Sequence, residues 1–226
     1  MRIQLAVDIG GTFTDLALEH AGGRKTAKVL TTQAAPERGV LDGVAAILRD
    51  AGIAPGDVAL MVHGTTLATN AIIERKGART ALITTQGHRD VLAMGNESRY
   101  DQYDLDITLP QPLIPRYLRL PVPERLDNTG AVLLPLDEAA VHALLPHLAD
   151  VESIAVGFLH SFVNPAHERR VRDILASALP GIPVSLSCEV SPEMREWERF
   201  STTAANAYVQ PLIAGYLGRL QAGLRA

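Results

Sequence analysis

Asp8-Ile9-Gly10-Gly11-Thr12-Phe13-Thr14-Asp15 gathers two carboxylates, two glycines and two hydroxyls directly after an apolar run, Ile3 to Val7. The run reads as a buried strand and the glycines as a tight turn with no side chains in the way. Such a loop suits phosphate chemistry. The backbone of Gly10, Gly11 and Thr12 presents N–H groups, and the Thr12 and Thr14 hydroxyls add donors. Asp8 is the candidate carboxylate for organising a hydrated Mg²⁺, largely through waters because that ion dehydrates reluctantly. Asp15 either positions a water or serves as a turn carboxylate. The plainer alternative for the whole segment is an ordinary hairpin tip. No Gly-Lys-Ser/Thr phosphate loop and no G-x-G-x-x-G fingerprint occurs.

A second group of polar residues is His63-Gly64-Thr65-Thr66, after the apolar run Val58–Val62 and before a helical stretch from Leu67 to Lys76. The end of a strand opening a helix favours anions, so Gly64, Thr65 and Thr66 join the candidate phosphate site. A threonine N-cap is the alternative. Asn70 lies one turn into that helix as a candidate substrate contact. His63 reads as an acid/base residue or a hydrogen-bonded structural one. Asn96 and Arg99 fall in an irregular stretch, where Arg99 suits bidentate pairing with carboxylate or phosphate, against the alternative of a solvated charge. His142, His147, His160 and His167 show no metal-ligand spacing and read as structural or surface residues. Glu193, Arg195, Glu196, Glu198 and Arg199 read as a charged helix face.

The elements that must position these residues follow from periodicity. Ile3–Val7, Asp15–Leu18 and Ala27–Leu30 predict a three-stranded meander, and Pro36 opens a helix running to Gly52. Thr80–Thr84 is the next strand. From Gly95 to Pro123 the prolines predict an extended surface excursion. Leu118–Leu126 and Ala131–Leu134 predict a hairpin around Asp127-Asn128-Thr129-Gly130. Helices Asp137–Leu148 and Pro165–Ala178 alternate with strands Ser153–Phe158 and Pro183–Ser187. The stretch Pro192 to Ala226 is mostly helical, with a break expected near Pro211. The fold class is α/β with a mixed sheet and flanking helices.

The 226 residues carry a formal net charge of −4 and 4% aromatics, which argues against nucleic-acid binding. No stretch approaches the ~20 apolar residues of a membrane span, and no basic leader precedes Asp8, so a cytoplasmic location is expected. The single cysteine, Cys188, excludes an intramolecular disulfide and a Cys-based zinc site, and reads as a small core residue.

Val7-Asp8-Ile9-Gly10-Gly11-Thr12-Phe13-Thr14-Asp15 carries a family resemblance. So do His63-Gly64-Thr65-Thr66 with Thr69-Asn70 and Glu74-Arg75-Lys76-Gly77, and Ser191-Pro192-Glu193 with Ser201-Thr202-Thr203 and Asn206-Ala207-Tyr208-Val209. Together they resemble the hydantoinase A/5-oxoprolinase family, to which ATP-dependent acetone and acetophenone carboxylase subunits are related. One departure is Gly87-His88-Arg89-Asp90, where the family more often has Phe at the second position. The resemblance implies an actin-like ATPase (ribonuclease H-like) half, with residues 1–190 as the N-terminal domain and 191–226 as the helical start of a following one. It implies that the other phosphate loop and the adenosine-binding segment lie beyond Ala226, so that this chain alone is an inactive fragment. It further implies ATP and Mg²⁺, a cyclic amide or ketone substrate, and a B-type partner subunit or domain. The activity implied is ATP-dependent opening of a hydantoin or 5-oxoproline ring through a phosphorylated intermediate. The alternatives are a ketone carboxylase subunit or a non-catalytic nucleotide-sensing or assembly domain.

Overall fold

The computed structural model describes residues 2–32, 34–96 and 103–225. It is a mixed α/β protein that divides into two compact units, Met1–Lys76 with Leu212–Ala226, and Gly77–Pro211.

The first unit is built on a four-stranded mixed sheet. Strands β1 (Ile3–Ile9), β2 (Phe13–His20) and β3 (Gly23–Leu30) form the expected meander, followed by helix α1 (Pro36–Ala51), strand β4 (Val58–Thr65) and helix α2 (Leu67–Ile73). The sheet order is β3-β2-β1-β4, with β1 antiparallel to β2 and parallel to β4. Strict alternation along β1 and β2 sends Leu5, Val7, Ile9, Leu16 and Leu18 to one face. There they pack with Val40, Ile47 and Leu48 of α1 and with Tyr216 and Leu220. The alternate residues, Asp8 and Asp15 among them, stand on the exposed face. Helix α1 starts on Pro36 and ends at Gly52, whose left-handed φ of 66° lets its amide close the last turn onto Arg49 and Leu48.

The second unit has a fully parallel sheet in the order β10-β9-β5-β6. Its elements are β5 (Thr80–Thr85), α3 (Val91–Met94), β6 (Arg119–Val122), β7 (Arg125–Leu126), β8 (Val132–Leu134), α4 (Glu138–Ala143), β9 (Ser153–Gly157), α5 (Ala166–Ala178), β10 (Val184–Leu186), α6 (Ser187–Val190) and, up to Pro211, helix α7 (Glu196–Arg225), whose remainder belongs to the first unit. Every residue of β5 and β9 is buried, as expected of central parallel strands covered on both faces. Cys188 packs against this core, and its burial, reinforced by the Glu168 carboxylate, pushes the thiol pKa up to about 12.

Several elements differ from the sequence expectation. Helix α2 stops at Ile73 rather than Lys76, because Arg75 adopts the left-handed φ of 57° that Gly77 was expected to supply. Only β7 pairs with β8 across the Asp127 turn. The preceding strand β6 runs parallel to β5 instead, burying Leu120 and Val122. Pro121 is tolerated because β6 is an edge strand. Asp137 caps α4, accepting from the Ala140 amide at 2.9 Å, but the helix gives way to a 3-10 turn over Leu145–Leu148 that contains Pro146.

The clearest difference is α7, which continues through Pro211 without the expected break. A proline leaves the carbonyl four residues earlier without its helical donor. That carbonyl belongs to Ala207, and the Ser153 hydroxyl donates to it at 2.7 Å. The next carbonyl, of Tyr208, accepts the Ala78 amide at 2.8 Å. The Ser153 hydroxyl of β9 thus replaces the missing helical donor, and the Ala78 amide, just before β5, adds a second tie beside it. Replacing Ser153 by Ala should strand a buried carbonyl and destabilise the second unit by about 1–3 kcal/mol. Urea unfolding followed by helical circular dichroism checks this, and an unchanged midpoint would show that the carbonyl does not need the hydroxyl.

Candidate functional site

Pairing within the first sheet fixes the site. The parallel register sets Asp8 beside Gly64 and Ile9 beside Thr65, while the antiparallel register sets Asp8 opposite Asp15. A Cβ on Gly64 would lie 3.0 Å from Asp8 Oδ1, so the bare glycine is what leaves that carboxylate its place. Two carboxylates directly opposite on one face repel. Lys28, Asp15's partner in β3, relieves this by bringing Nζ to 2.6 Å from Asp15 Oδ1. Its ammonium also lies 5.1 Å from the ring centre of the half-exposed Phe13. Asp15 is therefore a paired carboxylate, whereas Asp8 has no ion pair among the described residues. Both line a shallow depression of about 690 Å³ on the exposed sheet face, with Lys28, Val62 and Gly64.

The turn between β1 and β2 is braced from below. Gly10 donates to the Phe13 carbonyl at 2.9 Å, and a Cβ on Gly10 would press that oxygen at 3.0 Å. Thr31 donates its hydroxyl to the Gly10 carbonyl at 3.0 Å and its amide to the Thr12 carbonyl at 2.9 Å. The Thr14 hydroxyl bonds Thr31 at 3.0 Å, and Thr14 is 0% exposed. Thr14 therefore stiffens the loop from inside, while Thr12 is on the outside. The Gly11 and Thr12 amides donate to no group among the described residues, leaving two N–H groups at the loop tip.

The β4 end joins this loop. Thr66 donates its amide and its hydroxyl to the Ile9 carbonyl at 3.2 and 3.3 Å. Asn70 Nδ2 donates to the Thr66 hydroxyl at 3.3 Å and would sit 3.6 Å from a Cβ on Gly11. Thr65 accepts the Leu67 amide at 3.2 Å. Asp8, Gly10, Gly11, Thr12, Gly64, Thr65, Thr66 and Asn70 thus converge at one end of this sheet. Asn96 belongs to the second unit, where Nδ2 donates to Glu198 at 3.1 Å. Arg99 lies outside the described residues.

His63 points to the opposite face of the sheet from Asp8, and its Nε2 lies 2.8 Å from the Tyr216 hydroxyl. Burial pushes Tyr216 up to about 12, so the phenol keeps its proton in this hydrogen bond. Burial also lowers the His63 pKa, opposed incompletely by the Val7 backbone and the Asp8 carboxylate. This geometry supports the structural reading of His63. Arg199 departs further from expectation. It is 0% exposed and donates to the carbonyls of Phe158 (2.9 Å) and Glu193 (2.7 Å), so it is no part of a charged helix face. Thr31 and Lys28 were not legible as loop braces, because only the meander register brings them there.

Residues 4–179 match the model of the hydantoinase/oxoprolinase N-terminal region. The chain belongs to this family. It is 36% identical to the caprolactamase alpha subunit of Pseudomonas jessenii, over 97% of this chain and 33% of that protein. The crystal structure of that ATP-dependent caprolactamase superimposes with a TM-score of 0.86, over 98% of this chain and 33% of its own. The acetophenone carboxylase gamma subunit of Aromatoleum aromaticum is 35% identical over 97% of this chain and 33% of that subunit. The 5-oxoprolinase of Saccharomyces cerevisiae is 32% identical over 98% of this chain and 20% of that enzyme. The chain therefore spans a third or less of the length of these relatives. No helix among the described residues is long and apolar enough to cross a membrane.

The His63 geometry gives a pH test. Because the folded-state pKa is depressed, below the ordinary value of 6.5 the unfolded chain takes up a proton that the folded chain resists. Stability should be fully present above that value and fall as the pH drops below it. His63→Gln should flatten this decline in thermal scans taken from about pH 7.5 to about pH 5. Identical slopes for the two chains would remove His63 from the acid response.

Proposed function

We propose that the first unit is one half of an actin-like ATPase and that its Asp8 loop holds the phosphates of ATP. The observation that carries the reading is the unpaired Asp8 carboxylate beside the bare Cα of Gly64. The amides of Gly11 and Thr12, which donate to no group among the described residues, lie in the adjoining turn. The meander continued by a parallel strand, with α1 on one face, supports the actin-like assignment.

The residues fit a nucleotide with Mg²⁺. No three His, Cys, Asp or Glu side chains converge into a metal site among the described residues. Asp8 would therefore supply one carboxylate, directly or through water, with the remaining positions left to water and phosphate oxygens. When bound, the ion neutralises phosphate charge. The Gly11 and Thr12 amides and the Thr12 hydroxyl orient phosphate oxygens. Asn70 supports the loop from α2, Asp15 and Lys28 hold the hairpin, and Thr14 fixes it from within.

The reaction we assign to the whole protein is ATP-dependent opening of a cyclic amide. A ring amide is a poor electrophile, and a phosphate on its oxygen, transferred from ATP with release of ADP, activates the ring carbon to water. The C–N bond of the adduct then breaks, the nitrogen leaving as a protonated amine, and a second water hydrolyses the resulting acyl phosphate to carboxylate and phosphate. The ATP-dependent caprolactamase and the 5-oxoprolinase among the relatives support this reading. A B-type subunit or domain is the expected partner. The near-equal identity to an acetophenone carboxylase subunit supports a second reading, in which phosphate activates a ketone enol or bicarbonate.

Phosphate release by the protein with its B-type partner decides between them. Stimulation by 5-oxoproline, a hydantoin or caprolactam is expected, and stimulation only by acetone or acetophenone with bicarbonate would move the protein to the carboxylase branch. Asp8→Asn should lower turnover by at least about a hundredfold. Because it removes repulsion from Asp15, the same change should leave Tm unchanged or slightly higher. Unchanged turnover would remove Asp8 from the site.

A further inference from the structure

The second unit carries a depression of about 460 Å³ whose lining includes His88, Arg125, His160, Trp197 and Glu198. That volume is within the usual range for small-molecule sites, roughly 300–1,000 Å³. Its place in the fold is informative. His88 follows β5, Arg125 comes shortly after β6, and His160 follows β9. All three therefore lie beyond the carboxyl ends of parallel strands. The sheet order also reverses here, since the chain leaves β5 toward β6 and leaves β9 toward β10. In open α/β sheets ligands collect at this switch point.

The turn carrying His160 is strained and strongly held. Three non-glycine residues have positive φ among the described residues, and two of them, His160 (56°) and Arg195 (78°), line this depression. Strain persists where the surroundings over-determine it. Phe158 donates its amide to the buried Glu168 at 2.9 Å and gives its carbonyl to the buried Arg199 at 2.9 Å. The Leu159 amide donates to Thr85 at 3.1 Å, and Thr85 in turn donates to the buried Glu124. Glu124 also meets His167 Nδ1 at 2.8 Å. Ser161 and Ser187 share a hydrogen bond of 3.0 Å. Buried charges are expensive. Here three of them, with Thr85, fix the backbone of the two residues just before one imidazole that lines the depression.

The charges at the rim indicate what fits. Glu196 and Glu198 belong to the first turn of α7, where the helix favours acids. Glu198 Oε1 is held by Asn96 at 3.1 Å, with Arg195 at 4.0 Å, while Oε2 is buried without a hydrogen-bond partner among the described residues. The Arg125 guanidinium has no ion pair among the described residues. We propose that this depression binds a small carboxylate that also carries an N–H group. Arg125 forks the carboxylate, His160 and His88 add donors, Glu198 Oε2 accepts the N–H, and Trp197 forms a wall. Every group belongs to Gly77–Pro211, so the site stands independently of the nucleotide loop.

Trp197 is the only tryptophan of the chain, so its fluorescence reports on this site alone. The chain is titrated without nucleotide, using 5-oxoproline and N-acetylglycine as probes and the carboxylate-free 2-pyrrolidinone as the control. Saturable change with the carboxylates and none with 2-pyrrolidinone at equal concentration is expected. Arg125→Gln should weaken binding about tenfold or more, with an unchanged circular dichroism spectrum. His160→Gly should also weaken binding while raising Tm, because glycine relieves the positive φ. A merely structural His160 would instead leave binding intact. Equal response to 2-pyrrolidinone, no response to either carboxylate, or unaltered binding in both variants would overturn the proposal.

Discussion

The parallel pairing of β1 with β4 is the constraint on which the phosphate-loop arrangement depends. It places Asp8 against Gly64 and lets Thr66 close onto the Ile9 carbonyl. Because side chains alternate with a period of two, a one-residue slip would turn Asp8 into the α1 core and Val7 out of it. The apolar set Leu5, Val7 and Ile9 therefore fixes the chemistry as well as the fold. Thr31 then locks the loop through both its hydroxyl and its amide. What remains outside is one unpaired carboxylate and two amides, a rigid arrangement that an anion can enter without reorganising the backbone.

The second unit solves a different problem. Its central strands are buried on both faces, so their polar ends must be satisfied inside the protein. Glu124, Glu168 and Arg199 do this around the turn after β9. Replacing one partner alone would leave an uncompensated buried charge, so the network acts as a unit. Its effect is local, fixing the positions of Leu159 and His160 at the carboxyl edge of the sheet. The same logic appears at Pro211, where Ser153 supplies the donor that proline lacks. In both places a side chain distant in sequence completes the hydrogen bonding of a backbone that local rules would have broken.

Those long-range completions explain what could be read from the sequence. The meander, α1, β4, β5, β9 and α5 were legible because each rests on local periodicity or a terminal signal such as Pro36 or Gly52. The convergence of Asp8, Gly10, Gly11, Thr12, Gly64, Thr65, Thr66 and Asn70 was legible because those residues end two strands that pair. The continuity of α7 was not, since nothing near Pro211 announces Ser153. Nor was the burial of Arg199 amid the acidic residues around it, because its acceptors lie on Phe158 and Glu193. Thr14 resembled an outward hydroxyl by type, yet its register in β2 places it inside. Arg125 and His160 carried no motif, and their meeting depends on strand order.

The central claim, that the Asp8 loop of the first unit receives nucleotide phosphates, is tested most directly by backbone amide NMR during titration with Mg-ATP. The account predicts the largest shifts at Gly10, Gly11, Thr12 and residues 64–66, with a marked loss of response in Asp8→Asn. Shifts confined to other residues, or a response undiminished in the variant, would contradict it.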